Sequence, residues 1–264
     1  MKKLIPILVI LAIVSCKKQE EVSPNLVREF SIQSISTNAN YAIKIALPEN
    51  YDPSNRKYAA IYILDGEENF NFVAEQCKKL SGDYSTSNIL VVSIGYGNDR
   101  SMDYTPSQAN EGGGGAKKFM RFIQDELIPK IESDYGADIV RQSRTILGHS
   151  FGGLLAAYAF TNFNNVFGNY IILSPSIWYD NEIMLKLEQE NREINKVNHH
   201  LVFMGLGEME NSGRMPAPYE AFHQRLKNNY PDIKITSHLE PHLDHMGSKN
   251  PNIIEGLKFY FQNR

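Results

Sequence analysis

Apolar and polar residues alternate along the first part of the chain, which predicts strands that are exposed on one face. Residues 27–36 and 41–47 show this period of two, and Pro48 closes the second run. Two later runs, 58–64 and 89–94, are almost continuously apolar, as in strands that are covered on both faces. The pattern therefore predicts an antiparallel pair at the edge of a sheet and buried strands at its centre.

Helical periods lie between and after these strands and alternate with further strands. Residues 117–134 carry one apolar stripe at spacings of three and four, namely Phe119, Phe122, Ile123, Leu127 and Ile131. Pro129 predicts a kink near the end of that helix. Further strands are predicted at 144–147, 170–173, 201–204 and 233–239, and further helices at 152–162, 181–191, 217–229 and 252–262. Such alternation favours parallel pairing through right-handed crossovers, so we expect a three-layer α/β domain, with helices on both faces of a mostly parallel sheet.

The composition fits one domain with a substantial core and excludes some partners. The chain has 264 residues, of which 42% are hydrophobic, and its 27 basic and 30 acidic residues leave a net charge of −3. Beyond the N-terminus there is no dense run of lysine and arginine, so no nucleic-acid partner is expected. Cys16 and Cys77 are the only cysteines, too few for a disulfide framework or a zinc site. We expect no cofactor.

The N-terminus has the pattern of an export signal. Lys2 and Lys3 precede an apolar run over residues 4–14, which ends close to Cys16. This run is shorter than the about 20 residues that a membrane-spanning helix needs. The sequence at 13–16 resembles the lipobox of bacterial lipoproteins, in which cleavage precedes the cysteine and the thiol carries lipid. Ordinary secretion with cleavage nearby is the alternative.

These observations divide the chain into three parts. We expect a lipoprotein signal peptide at residues 1–15, a lipidated Cys16 with a flexible tether at 16–25, and one folded domain at 26–264. The protein is then exported and held at a bacterial membrane by lipid, facing the periplasm or the cell surface.

One segment carries the pattern of a catalytic serine. The predicted strand at 144–147 runs into Gly148-His-Ser150-Phe-Gly152, and helical character follows at once. A strand, Gly-x-Ser-x-Gly and a helix form the nucleophile elbow of α/β-hydrolases, in which small neighbours let the strand and the helix approach while the hydroxyl points outward. Ser150 is therefore the candidate nucleophile, and a structural turn without chemistry is the alternative.

Four consecutive glycines at 112–115 resemble a phosphate-binding loop only superficially. No predicted strand leads into them, and no Gly-Lys-Ser/Thr follows. We interpret them as a flexible entry to the helix at 117–134.

Candidate partners of the serine follow it in the order expected for this fold, first the acid and then the histidine. The loop after the predicted strand at 201–204 carries two carboxylates, of which Glu210 is the first choice for the acid and Glu208 the second. The loop after the next strand carries His242 and His245, and His245 is preferred as the base. The other five histidines lie within the elbow, on a predicted helix, or in or before a strand.

A metal site is the alternative use of the histidine-rich loop. His238, His242, Asp244 and His245 are zinc-ligand types within eight residues. Pro241 interrupts this segment, so its histidines cannot share a helical face as they do in an HExxH site. We therefore expect no metal.

Attack on an acyl carbon creates an oxyanion, which needs preorganised donors. The elbow supplies the backbone N–H of Phe151. The loop after the third strand contains Asp65, Gly66 and Glu67, and the N–H of Glu67 or of Gly66 is the candidate second donor. A glycine in this loop would let the backbone come close to the substrate.

Several segments taken together identify a family. They are Leu64–Gly66, Arg100 with Asp103–Pro106, Glu126–Pro129, Gly148–Gly153, Ser174–Trp178, Gly207–Asn211 and His245. Over residues 27–261 the chain resembles the Putative esterase family of α/β-hydrolases, which includes esterase D, enterochelin (siderophore) esterases and feruloyl or acetyl-xylan esterases. Many relatives carry Asp where this chain has Glu in the acid loop.

The resemblance implies an α/β-hydrolase fold and a cofactor-free serine hydrolase. Ser150 attacks, His245 is base and then acid, Glu210 orients the imidazole, and the amides of Glu67 and Phe151 receive the oxyanion. The resemblance also places Trp178 and Arg100 near the site. There Trp178 would stack on an aromatic or sugar group and Arg100 would pair with an anionic one, unless both are packing residues.

The sequence thus predicts an exported esterase that is lipid-anchored and acts on a small-molecule ester, either of a siderophore or of a feruloyl- or acetyl-bearing glycan. The alternatives are an inactive surface-binding lipoprotein that keeps the fold, or a thioesterase or peptidase with the same site. Because the base must be neutral to act, activity should decline as the pH falls through the range in which histidine side chains take up a proton.

Overall fold

The structure is a computed structural model that describes residues 26–86, 88–196, 199–210 and 213–264. The predicted signal peptide, Cys16 and the tether up to residue 25 lie outside these residues, as does Asn211 of the acid loop. Within the described ranges, no helix is both long enough and apolar enough to cross a bilayer.

Ten strands and eight α-helices lie in the described ranges. The strands are β1 (Val27–Gln33), β2 (Asn40–Ala46), β3 (Ala59–Ile63), β4 (Ile89–Ile94), β5 (Gln108–Ala109), β6 (Gly112–Gly113), β7 (Arg144–His149), β8 (Asn169–Leu173), β9 (His200–Gly207) and β10 (Ile233–Glu240). The helices are α1 (Gly66–Asp83), α2 (Arg100–Tyr104), α3 (Ala116–Arg121), α4 (Ile128–Tyr135), α5 (Phe151–Asn162), α6 (Tyr179–Asn195), α7 (Pro216–Asn229) and α8 (Lys249–Asn263).

Eight of these strands form one sheet in the order β1-β2-β4-β3-β7-β8-β9-β10. The pairs β1·β2 and β2·β4 are antiparallel, and the pairs from β4 to β10 are parallel. This confirms the predicted antiparallel edge on a mostly parallel sheet. Because parallel strands end at the same edge, the loops after β3, β7, β8, β9 and β10 gather there.

The sheet is covered by helices on both faces, as predicted. Successive residues of β3 point to opposite sides, so that Tyr62 joins the core under α5, whereas Ile61 and Ile63 join the core under α1 and α8. All five residues of β3 are buried. The continuous apolar run in the sequence therefore has the expected cause, a central strand that is packed on both faces.

Helix α1 is an element for which the sequence patterns gave no bounds. It has 18 residues and forms the crossover between the parallel strands β3 and β4. Its buried residues Phe70, Val73, Ala74 and Cys77 recur at spacings of one, three and four. This helical period was the sequence signal for α1. It is less regular than the continuous apolar runs of the two strands on either side of it.

The helix predicted over 117–134 is divided in the structure. Residues Phe122–Leu127 form a π-helical segment between α3 and α4, and Pro129 lies in the first turn of α4. Proline lacks the N–H that would bond to the preceding turn, and a wider turn before it accommodates that loss. The break therefore lies before Pro129 rather than near the end of the helix.

The glycines at 112–115 also differ from the prediction of a flexible entry. Gly112 and Gly113 form β6, which pairs with β5 in a small hairpin. A Cβ on Gly115, the last of the four, would lie 2.6 Å from the Met102 carbonyl oxygen. Close packing, rather than flexibility, requires glycine at this position.

Candidate active site

Ser150 lies at the junction of β7 and α5 in a backbone conformation that is rare for a residue with a side chain. Its φ is 60° and its ψ is −118°. A Cβ on Gly148 would lie 2.2 Å from the Gly152 carbonyl oxygen, and one on Gly153 would lie 2.6 Å from the Leu173 carbonyl oxygen. The glycines are therefore required for the strand and the helix to meet at this turn.

His245 and Glu210 are brought together from the ends of two neighbouring parallel strands. The Nδ1 atom of His245 lies 2.7 Å from Oε2 of Glu210. The Glu210 carboxylate is buried, and its Oε1 accepts hydrogen bonds from the Ser174 hydroxyl at 2.6 Å and from the Gly207 N–H at 2.8 Å. Since Nδ1 faces Glu210, Nε2 is the ring nitrogen of His245 that remains for a second partner.

The charge of Glu210 is maintained by its hydrogen bonds. Burial by itself raises the pKa of this carboxyl group, but the hydrogen bonds from His245, Ser174 and the Gly207 backbone outweigh burial and leave the pKa below its ordinary value. Glu210 is therefore an ionised, buried acceptor, which is the state that an imidazole-orienting acid requires.

The residue before the serine holds the histidine loop in place. His149 is buried, its ring centroid lies 4.6 Å from that of His245, and its Nε2 donates to the His245 carbonyl oxygen at 2.9 Å. Burial, followed by repulsion from His245, lowers the pKa of His149 to about 4. His149 is thus neutral near pH 7 and positions the backbone of His245 beside the elbow. In the described part of the chain, the Ser150 hydroxyl itself makes no hydrogen bond.

The second-choice acid, Glu208, contacts the other histidine of the same loop. Its Oε2 accepts a hydrogen bond from the His242 backbone N–H at 2.7 Å and lies 3.2 Å from His242 Nδ1. The side chains of Glu208 and His242 are 43% and 91% exposed, against 2% for Glu210. The two candidate acids therefore occupy different environments, and only Glu210 faces His245.

The proposed oxyanion donors lie at the starts of two helices. Phe151 begins α5, and Gly66 and Glu67 begin α1, so their N–H groups have no acceptor within their own helices. The structure gives a further reason for glycine at position 66. A Cβ there would lie 2.7 Å from the Ser93 Cβ, so packing against the end of β4 already requires glycine, and the approach of a substrate stays a prediction.

Arg100 has an internal partner. Its guanidinium binds the buried Asp65 carboxylate at 2.8 and 2.9 Å, and its Nη2 also donates to the His149 carbonyl oxygen at 3.3 Å. It therefore ties the loop after β3 to the elbow. Its charge is compensated by Asp65, which assigns Arg100 to the support of the site rather than to an anionic substrate group.

Trp178 lies on the segment after β8, with its ring centroid 6.2 Å from that of Phe151. Its Nε1 donates to the Met215 sulfur at 2.9 Å, and the guanidinium carbon of Arg214 lies 3.3 Å from the ring centroid. The sequence patterns gave no indication of Arg214, because its contact with Trp178 spans two different loops.

The metal alternative finds no support in the histidine-rich loop. His238 Nε2 pairs with Glu240 at 2.9 Å, and His245 faces Glu210. Among the residues that the structure describes, no group of three or more His, Cys, Asp or Glu side chains is arranged to hold a metal ion.

The sheet order, the covered faces and the strand–serine–helix junction define the class, that of α/β-hydrolases. A model of the family described as "Putative esterase" matches residues 34–241, and the chain belongs to this family. It is by class an ester-bond hydrolase.

Individual relatives are consistent with this assignment. The chain is 30% identical to the ferri-bacillibactin esterase BesA of Bacillus subtilis over 202 residues, which cover 68% of this chain and 69% of that protein. It is 30% identical over 173 residues to a siderophore triacetylfusarinine C esterase of Aspergillus fumigatus, with 60% of this chain and 59% of the relative covered, so that match spans less than two thirds of the relative's length. Among solved structures, a BES protein from Bacillus cereus superimposes with a TM-score of 0.80 at 27% identity, over 98% of this chain and 99% of that one.

Proposed function

We propose that the protein hydrolyses carboxylic esters through an acyl-enzyme on Ser150. The observation that carries the proposal is the pairing of the His245 imidazole with the buried Glu210 carboxylate, on a loop that His149 ties to the strained elbow at Ser150. His245 Nε2 takes the hydroxyl proton as Ser150 Oγ attacks the acyl carbon, and Glu210 stabilises the imidazolium that forms. The N–H groups of Phe151 and of Glu67 or Gly66 receive the oxyanion.

The steps then follow from this arrangement. The tetrahedral intermediate collapses with cleavage of the carbon–oxygen bond, and His245 gives the proton to the leaving alcohol. A water molecule, activated by His245, attacks the acyl-enzyme and releases the acid and the free Ser150 hydroxyl. The hydrogen bond between Ser150 and His245 Nε2 forms with substrate bound, when catalytic hydrogen bonds usually tighten.

The nucleophile is tested with the full chain by fluorophosphonate labelling and by turnover of 4-nitrophenyl acetate. We expect Ser150→Ala to abolish labelling and to lower kcat by about 10⁴- to 10⁶-fold. Ser133→Ala, at an exposed position on α4, is the matched control and should behave as the wild type. If folded Ser150→Ala is still labelled and turns over the ester at the wild-type rate, the proposed mechanism is wrong.

We propose that the substrate is a siderophore ester. Support comes from the relatives, one described as a ferri-bacillibactin esterase and another as a siderophore triacetylfusarinine C esterase. The test compares enterobactin, with and without iron, with methyl ferulate and acetylated xylan, and follows the products by mass spectrometry. Cleavage of the siderophore ester bonds at the higher kcat/KM supports the proposal. Cleavage of the ferulate or xylan esters alone would assign the enzyme to glycan esters.

The membrane anchor is also a proposal, supported by the sequence around Cys16. The full chain, expressed in a bacterium that processes lipoproteins, should sediment with membranes and incorporate a tagged fatty acid. Cys16→Ser should be soluble and unlabelled, whereas Cys77→Ala should behave as the wild type because Cys77 is buried in the core. Membrane association of Cys16→Ser equal to that of the wild type would exclude the lipid anchor.

A further inference from the structure

Arg214 covers one face of Trp178. The guanidinium carbon lies 3.3 Å from the centre of the Trp178 ring, which is the separation of two stacked planar groups. Met215, the next residue in the chain, accepts the Trp178 Nε1–H and thereby holds the indole against the same segment. The guanidinium therefore fills the layer that a planar group of a ligand would occupy on this face.

The covered ring lies next to the elbow. The Phe151 ring, whose backbone N–H is a proposed oxyanion donor, is 6.2 Å away, and the Ser176 N–H donates to the Ser150 carbonyl oxygen at 3.2 Å. A cleft of about 400 Å³ opens at this point, between residues 108–111 and residues 178–181, and Arg214 lines it. The contact of Trp178 with Phe151 joins this cleft to the elbow.

The contacts that hold Arg214 are weak ones. Its Nη1 lies 3.0 Å from Oε1 of Glu111, and the two side chains are 60% and 45% exposed. Exposed ion pairs and exposed cation–π contacts each contribute little, so a ligand that stacks better can displace the guanidinium. Arg100 is held more firmly than Arg214, because its guanidinium is bound to a buried carboxylate.

The charges of the cleft argue against a simple anion site. The positive charge of Arg214 is paired with Glu111, and the Asp180 carboxylate also lines the cleft. Asp180 accepts a hydrogen bond from the Ser107 hydroxyl and remains a second negative group. Stacking on Trp178, rather than attraction of a negative ligand, is the interaction that this cleft is built to offer.

We propose that Arg214 is a specificity-determining residue. An aryl ester must displace the Arg214 guanidinium before its ring can stack on Trp178. Arg214 then lowers the affinity for esters with a planar aromatic group and leaves small aliphatic esters unaffected. This inference rests on the proposed function, because it takes the ester to bind at the elbow. It adds to that function a prediction of which esters bind with higher affinity.

The test uses Ser150→Ala as the binding-only form of the full chain. Trp178 is the only tryptophan of the protein, so intrinsic tryptophan fluorescence reports on this face directly. Methyl benzoate is the probe. Replacing Arg214 by Ala should tighten its binding by about tenfold, since one exposed ion pair and one exposed cation–π contact no longer oppose it.

Further variants separate stacking from charge. Arg214→Lys keeps the charge without the planar group and should also tighten binding, and Glu111→Gln should do so to a smaller extent because it removes one of the two contacts that hold Arg214. Lys227→Ala, at an exposed position far along α7, removes the same charge and should bind as Ser150→Ala alone. Binding that is unchanged or weaker in Arg214→Ala and Arg214→Lys, or no binding to any variant, would overturn the inference.

The proposed function is read out separately in proteins that retain Ser150. In these, Arg214→Ala should raise the ratio of kcat/KM for methyl benzoate to that for methyl butyrate by about tenfold, as it does the binding of methyl benzoate. Loss of Ser150-dependent hydrolysis in the wild type would overturn the catalytic proposal, whereas the fluorescence titration would still decide the role of Arg214.

Discussion

At the scale of single residues, two glutamates two positions apart have different environments and therefore different capacities. Glu210 is buried, accepts from Ser174 and the Gly207 backbone, and faces His245. Glu208 is exposed and accepts from the backbone of His242. Both carboxylates follow the same strand, so residue type alone could not decide which of them is the candidate acid. Their burial and their hydrogen bonds decide it.

The acid can be assigned by removing one charge at a time. We expect Glu210→Gln to lower kcat on 4-nitrophenyl acetate by about 10³- to 10⁴-fold, because the imidazolium loses its buried counter-charge and the ring loses its orientation. Glu208→Gln should stay within about threefold of the wild type, since an amide oxygen still accepts the His242 N–H. A larger loss in Glu208→Gln than in Glu210→Gln would reverse the assignment.

At the scale of elements, the site depends on how the segments after β9 and β10 are joined. Besides the hydrogen bond from the His242 N–H to Glu208, the Met209 N–H donates to the Leu243 carbonyl oxygen at 3.0 Å. His242 itself has a φ of 59°, in the left-handed region. These contacts set the distance between the acid loop and the histidine loop, and hence between Glu210 and His245.

Glu208 is therefore expected to act as a positioning residue through its acceptor oxygen. Glu208→Ala, which removes that oxygen, should lower kcat by about tenfold with little change in KM, because the imidazole is displaced while the substrate cleft is intact. Glu208→Gln should restore the rate. Rates are taken per active site titrated with fluorophosphonate, so that a loss of folded protein is not counted, and equal rates for the Ala and Gln variants would contradict this role.

The same scale shows why local patterns predicted most strands and only part of the helices. Strands β3, β4 and β8 are buried throughout, so their apolar runs are unambiguous. Helix α1 has a polar face and a weaker stripe, and the π-helical segment before Pro129 depends on how the chain packs around a missing N–H. A period in the sequence identifies a face to be buried, but it does not fix the width of each turn.

At the scale of the whole molecule, buried neutral histidines couple folding to pH. Burial, followed by repulsion from His245, lowers the pKa of His149 to about 4, and burial, followed by repulsion from Arg141, lowers that of His200 to about 3. Below a pH of about 6.5 these two histidines take up protons in the unfolded chain but remain neutral in the folded protein. Stability contributed by these groups is therefore present above that pH and is lost progressively as the pH falls towards the folded values.

Urea unfolding at several pH values tests this coupling. The free energy of unfolding of the wild type should fall between pH of about 6.5 and about 4, with His149 accounting for about 3 kcal/mol of the fall. His149→Gln keeps an N–H donor for the His245 carbonyl oxygen but cannot be protonated, so its stability should depend less steeply on pH. His199→Gln, at an exposed position, should keep the wild-type slope. Equal slopes for the wild type and His149→Gln would refute the coupling.

Local pattern was sufficient for the class of fold, for the elbow at Ser150 and for the order in which an acid and a histidine follow it. The apolar periodicity of each strand or helix and the five-residue Gly-x-Ser-x-Gly turn are short-range properties, because neighbouring residues determine them. Other features depend on contacts between distant parts of the chain. They are the pairing of His245 with Glu210 rather than Glu208, the ion pair of Arg100 with Asp65 and the stacking of Arg214 on Trp178. Each joins side chains 35 or 36 positions apart. Only the folded sheet, by bringing the ends of separate strands to one edge, decides which of these side chains meet and which remain exposed.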